Sequence, residues 1–176
     1  MKVNGAMKET ELENAVYIEV QRFYENRIMA VASPVLILIF IATAVHILTN
    51  PLALPGILLA SAYIGTAALV VFICFYMRLV TIVTPFCIEV RFIPFVTRII
   101  PFADIEKARI KEYRAVKEFG GWGIRCALKG KISALTISGN SGLELQLEDG
   151  KRLLIGTKNP KALSSALIDK IPISKY

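Results

Sequence analysis

The fifty positions from Ile28 to Met77 contain no Asp, Glu, Lys or Arg, and the polarity pattern changes on either side of them. A charged side chain at mid-span in hydrocarbon costs about 2.5 to 3.5 kcal/mol, so a stretch that avoids all of them reads as membrane-spanning. About 20 helical residues at about 1.5 Å rise cross a core about 30 Å thick. The stretch therefore predicts two transmembrane helices, 28–49 and 56–77. Between them Thr49-Asn50-Pro51-Leu52-Ala53-Leu54-Pro55-Gly56 holds two prolines and a glycine, which stop one helix and let the chain reverse. A buried hairpin inside a globular core is the alternative, although such helices seldom stay uncharged on every face.

Outside the hairpin the period shifts to two. In Asn14 to Tyr24, Val16, Ile18 and Val20 alternate with Tyr17, Glu19 and Gln21, the pattern of a strand. Val16, Val20 and Phe23 also share a helical stripe, so a helix running on into the first span competes with it. After the hairpin, strands are predicted over Leu79 to Thr84, Phe86 to Phe92, Val96 to Ile100, Ala108 to Tyr113, Ile132 to Ile137, Leu143 to Leu147 and Lys151 to Ile155. Asp149-Gly150 is the dipeptide of a two-residue hairpin whose central residues need positive φ. Asn159 and Pro160 read as the cap and first residue of a helix with Leu163, Ala166, Leu167 and Lys170 on its inner face, ended by Pro172. Several short antiparallel strands closed by one helix predict a small α+β domain over 78–176, with 1–27 as an N-terminal tail.

Charge orients this arrangement. The chain has 21 Lys and Arg against 14 Asp and Glu, a net charge of +7. Residues 1–27 hold 4 basic and 5 acidic side chains, whereas 78–176 hold 17 and 9. Arg22 and Arg27 precede the hairpin, Arg78, Arg91 and Arg98 follow it, and its loop is uncharged. The positive-inside rule then predicts a multi-pass protein of the inner (cytoplasmic) membrane with both termini cytoplasmic. The basic second part would meet anionic membrane lipids, each well-placed cation adding about 1 kcal/mol. Nucleic acid is not expected as a partner, because the cations are scattered and form no recognisable motif.

Candidate chemistry is sparse. There is one histidine, His46, no CxxC, and only three cysteines, so no metal, cofactor or catalytic set is expected and the protein reads as no enzyme. Asp104, Glu106, Glu112, Glu118, Glu144 and Asp149 read as turn residues or solvent-facing strand positions. Gly120-Gly121-Trp122-Gly123 lacks the ending of a phosphate loop and reads as a bend around the only tryptophan. If it is a site, Trp122 and Arg125 are its candidate ligand or partner contacts, an aromatic ring beside a planar cation. Ser61, Gly65 and Ala68 have the spacing of small residues that lets helices approach, and are candidates for helix packing.

The run Val83-Thr84-Pro85-Phe86-Cys87-Ile88-Glu89-Val90, then Ile99-Ile100-Pro101-Phe102-Ala103-Asp104-Ile105, then Leu143-Glu144-Leu145-Gln146-Leu147-Glu148-Asp149-Gly150-Lys151 and a Pro-started helix, resembles the bacterial pleckstrin-homology-like (bPH) domain membrane proteins. The block Gly120 to Arg125, with Ser138-Gly139-Asn140-Ser141-Gly142 and Ile155-Gly156-Thr157, is similar to a small, uncharacterised two-span subset of them. The resemblance implies a seven-strand, bent antiparallel β-barrel capped by the C-terminal helix, used for binding or assembly. The expectation is thus a membrane-anchored, non-enzymatic binding or scaffolding module with a protein, peptide or anionic-lipid partner. The alternative is an accessory subunit of a larger membrane complex, packed through its hairpin, with a homo-oligomer also open.

Overall fold

The computed structural model describes residues 14–25, 27–49, 54–126, 132–171 and 173–175. Residues 1–13 of the N-terminal tail, the Asn50 to Ala53 part of the loop and the stop at Pro172 lie outside them. The chain divides into two units, 22–77 and a larger one made of 1–21 with 78–176.

The smaller unit contains two helices, α1 over Arg27–Thr49 and α2 over Leu54–Tyr76. They pack together, Phe40 meeting Tyr63 edge to face at 5.9 Å and Tyr24 lying 6.2 Å from Phe75. Thr43, Thr49 and Thr66 donate their hydroxyls to carbonyls one turn back, so these polar side chains are satisfied within their own helices. Val31, Leu38, Ile64 and Phe75 are exposed. The transmembrane expectation is overturned, because among the described residues no helix is long and apolar enough to cross a membrane. With the transmembrane hairpin falls the multi-pass inner-membrane location with both termini cytoplasmic, which rested on it.

In the larger unit, β1 (Tyr17–Arg22), β2 (Arg78–Val83), β3 (Cys87–Ile93) and β4 (Val96–Pro101) form a four-stranded sheet in that order. Residues 14–24 therefore do not continue a helix into α1. A second sheet holds β5 (Ile105–Glu112), β6 (Gly123–Cys126), β7 (Ile132–Thr136), β8 (Ser141–Leu147), β9 (Arg152–Thr157) and β10 (Ile173–Lys175), ordered β10-β5-β8-β9-β7-β6. Two short helices complete the unit, α3 over Ala115–Phe119 and α4 over Pro160–Leu167.

This corrects the single bent antiparallel barrel. The Asp149-Gly150 hairpin, with Gly150 at φ 76, pairs β8 with β9 and leaves the other edge of β9 to β7, which runs parallel to it. After α4 the chain returns as β10, parallel to β5. The result is two sheets, the second of which mixes parallel and antiparallel pairing. Every residue of β2 from Leu79 to Val83 is at most 1% exposed, so this strand is buried on both faces, which explains its continuous apolar run. α4 buries Leu163 and Leu167 and lies against β8. Asn159 makes no side-chain cap; its carbonyl accepts from the Leu163 N–H at 3.0 Å. Lys170 donates to the Thr84 carbonyl at 3.1 Å and sits over the Phe102 ring.

The N-terminal strand is tied in by a buried polar network. Glu19, 7% exposed, accepts from Tyr17 Oη at 2.7 Å, Gln21 Nε2 at 3.1 Å, Thr157 Oγ1 at 2.6 Å and the Lys158 N–H at 2.7 Å. Gln21 Nε2 also donates to the Gly156 carbonyl at 2.7 Å. Burial, reinforced by the bond to Glu19, pushes the Tyr17 hydroxyl well above its usual range. An autonomous domain therefore has to include β1 as well as 78–176. Glu19→Ala should orphan these donors and lower unfolding stability by about 3 kcal/mol or more in urea denaturation, with Glu19→Gln losing less.

Candidate binding surface on the six-stranded sheet

The strand registers place one row of side chains across a single face of the second sheet. Arg125 on β6 is opposite Ala134 on β7, Ala134 opposite Leu154 on β9, Leu154 opposite Glu144 on β8, and Glu144 opposite Arg109 on β5. Partners in register point to the same side, and four strand spacings separate the two arginines by about 19 Å. An arginine stands at each end of a floor that is apolar in the middle.

At the β5 end this face opens into a groove of about 320 Å³ lined by Lys107, Ala108, Arg109, Glu144, Gln146 and Arg152. Glu144 is 8% exposed and its carboxylate accepts from Arg109 Nε. The expectation that Glu144 faces solvent is thus corrected: it is buried and engaged by the Arg109 side chain. Glu106 stands at the rim, accepting from Gln146 Nε2 at 2.7 Å and lying 3.8 Å from Lys107 Nζ. Arg152 is exposed and joins no ion pair among the described residues. Three cations from two strands therefore surround one carboxylate that is already engaged.

At the other end the same face is roofed. Tyr113, Ala115, Ala134 and Leu154 form a buried cluster against which Phe119 and Trp122 pack. Tyr113 meets Phe119 edge to face at 6.1 Å. Two glycines make the bed for Tyr113: a Cβ on Gly142 would come within 3.2 Å of its ring, and one on Gly156 within 3.1 Å of its hydroxyl. Burial pushes the Tyr113 hydroxyl up to about 12, a nearby Thr136 hydroxyl opposing the shift. The roof is α3 and the turn after it, with Gly120, Gly121 and Gly123 all at positive φ, between 70 and 128. It is pinned by Glu118, which accepts from Lys111 Nζ and from the Arg114 N–H, both at 2.9 Å. The Lys111 contact, with the backbone bond next, lowers the Glu118 carboxyl. Trp122 Nε1 is buried without a hydrogen-bond partner among the described residues.

The structure sets both sequence-nominated contacts on this part of the sheet, though not as a stacked pair. Trp122 is half-buried in the roof, while Arg125 is exposed and its guanidinium lies 3.2 Å from where a Gly121 Cβ would be. Ser61, Gly65 and Ala68 are exposed on α2, and a Cβ at Gly65 would meet nothing within 4 Å. The groove cations Lys107, Arg109 and Arg152 were not singled out by the sequence. Their only trace is the alternation of basic and apolar positions in β5, because the juxtaposition depends on the register between strands distant in sequence.

Fold and surface together define an α+β protein of two sheets, one of which carries an open cationic groove. The chain belongs to a family of unknown function, DUF6141, whose model matches residues 7–173. No curated protein and no solved structure matches it.

Two outcomes follow from the roofed end. A Cβ at residue 142 would sit 2.9 Å from the Ile155 carbonyl oxygen and 3.0 Å from Leu154 Cδ1, so Gly142→Ala should destabilise by about 1 to 3 kcal/mol in urea denaturation. Tyr113 has a folded pKa raised above the ordinary value of 10.0, so its contribution is complete below pH 10 and is lost as pH rises through about 12. A spectroscopic phenolate titration should show stability falling across that window, with Tyr113→Phe reducing the slope.

Proposed function

We propose that the protein is a non-enzymatic binding module that takes an anionic ligand on the cationic face of its six-stranded sheet. The observation that carries this reading is the convergence of Lys107, Arg109 and Arg152 on one groove whose single lining carboxylate is already held by Arg109. An incoming carboxylate or phosphate would gain charge-assisted hydrogen bonds from the free guanidinium edges. Arg152 and Lys107 reach it from opposite sides of Gln146, since both are in register with that residue. The reading as a binder also fits the use of four other acids: Glu19 accepts four hydrogen bonds, while Glu89, Glu118 and Asp149 are paired with Arg91, Lys111 and Lys151. Each is engaged in holding the fold.

The test is the denaturation midpoint of the full chain in citrate, compared with sodium chloride at equal ionic strength. A ligand that binds only the native state stabilises it by about 2.7 kcal/mol at 100 times its Kd. Citrate should raise the midpoint saturably, and Lys107→Ala/Arg152→Ala, which removes two exposed side chains, should abolish the gain. Equal midpoints in citrate and chloride would refute the proposal.

A further inference from the structure

We infer that Glu106 is a resident carboxylate that occupies part of the groove's donor set, and that an anionic ligand binds by displacing it. This rests on the proposed anion-binding reading and adds the residue that sets the affinity of that site.

The placement of Glu106 comes from an irregularity in β5. Ile105 is opposite Leu147 and Lys107 is opposite Gln146, so β5 advances two residues where β8 advances one, and Glu106 is the extra residue. In a regular strand neighbours point to opposite faces, which would separate Glu106 from Lys107. A bulge breaks that alternation and re-aims a side chain. Ile105 and Ala108 are both buried, and between them Glu106 and Lys107 are both exposed.

The re-aimed carboxylate meets the groove's own donors. Gln146 Nε2 donates to Glu106 Oε2 at 2.7 Å, and Glu106 Oε1 lies 3.8 Å from Lys107 Nζ. Gln146 and Lys107 both line the groove, and Gln146 is in register with Arg152 on its other side. An incoming anion would therefore need the amide and the ammonium that Glu106 already engages. The two acids differ in how firmly they are held. Glu144 is buried and engaged by Arg109, so it belongs to the floor. Glu106 is exposed, and exposed pairs of this kind are weak, so its side chain can swing out without disturbing the ladder. The ligand's contacts then count only net of those that Glu106 gives up.

The test is citrate affinity, read from the concentration dependence of the urea midpoint of the full chain, with sodium chloride at equal ionic strength as the reference. Each variant is compared with its own chloride midpoint, which removes differences in intrinsic stability. Glu106→Gln keeps the shape of the side chain but removes the competing charge, and should tighten citrate about three- to fivefold. In a Gln146→Ala background the same change should tighten it less than about twofold, because the contested amide is gone. Citrate stabilisation of the native chain with no tightening in Glu106→Gln would overturn the inference and leave the groove standing. An equal gain with and without Gln146 would also overturn it, since Glu106 would then act only through its field. Absence of citrate stabilisation from the native chain and from Glu106→Gln alike would remove the groove reading itself.

Discussion

A single buried carboxylate holds the larger unit together. Glu19 belongs to a strand that precedes the helical hairpin, yet its oxygens accept from Thr157 and Lys158, at the end of the strand that centres the second sheet. A buried carboxylate is tolerated only when its lone pairs are filled, and four donors fill these. The interaction joins segments nearly 140 residues apart in sequence. It fixes β1 as an integral edge of the first sheet, bonded to β2. Gln21 extends the link to Gly156, whose lack of a side chain leaves room for Tyr113. The network at one strand end and the roofed cluster therefore share the same short stretch of β9.

The cationic face follows from how that sheet is covered. Leu143, Leu145, Leu153 and Ile155 face the core, whereas the opposite side of the same strands carries Glu144, Gln146, Arg152 and Leu154. Only part of that opposite side is roofed, because α3 is a single short helix. Where it covers the sheet the side chains are apolar and the glycines make space; where it does not, cations line an open groove.

Period-two patterning located most strands after Arg78, since a half-buried strand writes its alternation into the chain, and Asp149-Gly150 marked the β8–β9 turn through its need for positive φ. The alternation over 16–20 allowed a strand before the hairpin but competed with a helical stripe through Val16, Val20 and Phe23, and only the pairing with β2 decides for the strand. The helical runs of the hairpin were also plain in the sequence, but their setting was not. Read as spans, they carried the location with them, and among the described residues no helix is long and apolar enough for that role. Trp122 stood out as a lone aromatic in a glycine-rich bend. Lys107, Arg109 and Arg152 did not, being three cations among many.

What the sequence by itself determined is local: which segments are extended, where the chain turns, and that the basic excess lies after Arg78. These depend on side-chain periodicity and on backbone constraints at glycine and proline, which act over a few residues. Tertiary structure alone decided that β7 and β9 run parallel, that β1 pairs with β2 beyond the hairpin, and that Arg125, Ala134, Leu154, Glu144 and Arg109 form one row. Those outcomes depend on strand register between distant segments. A slip of one residue would send each of these side chains to the other face.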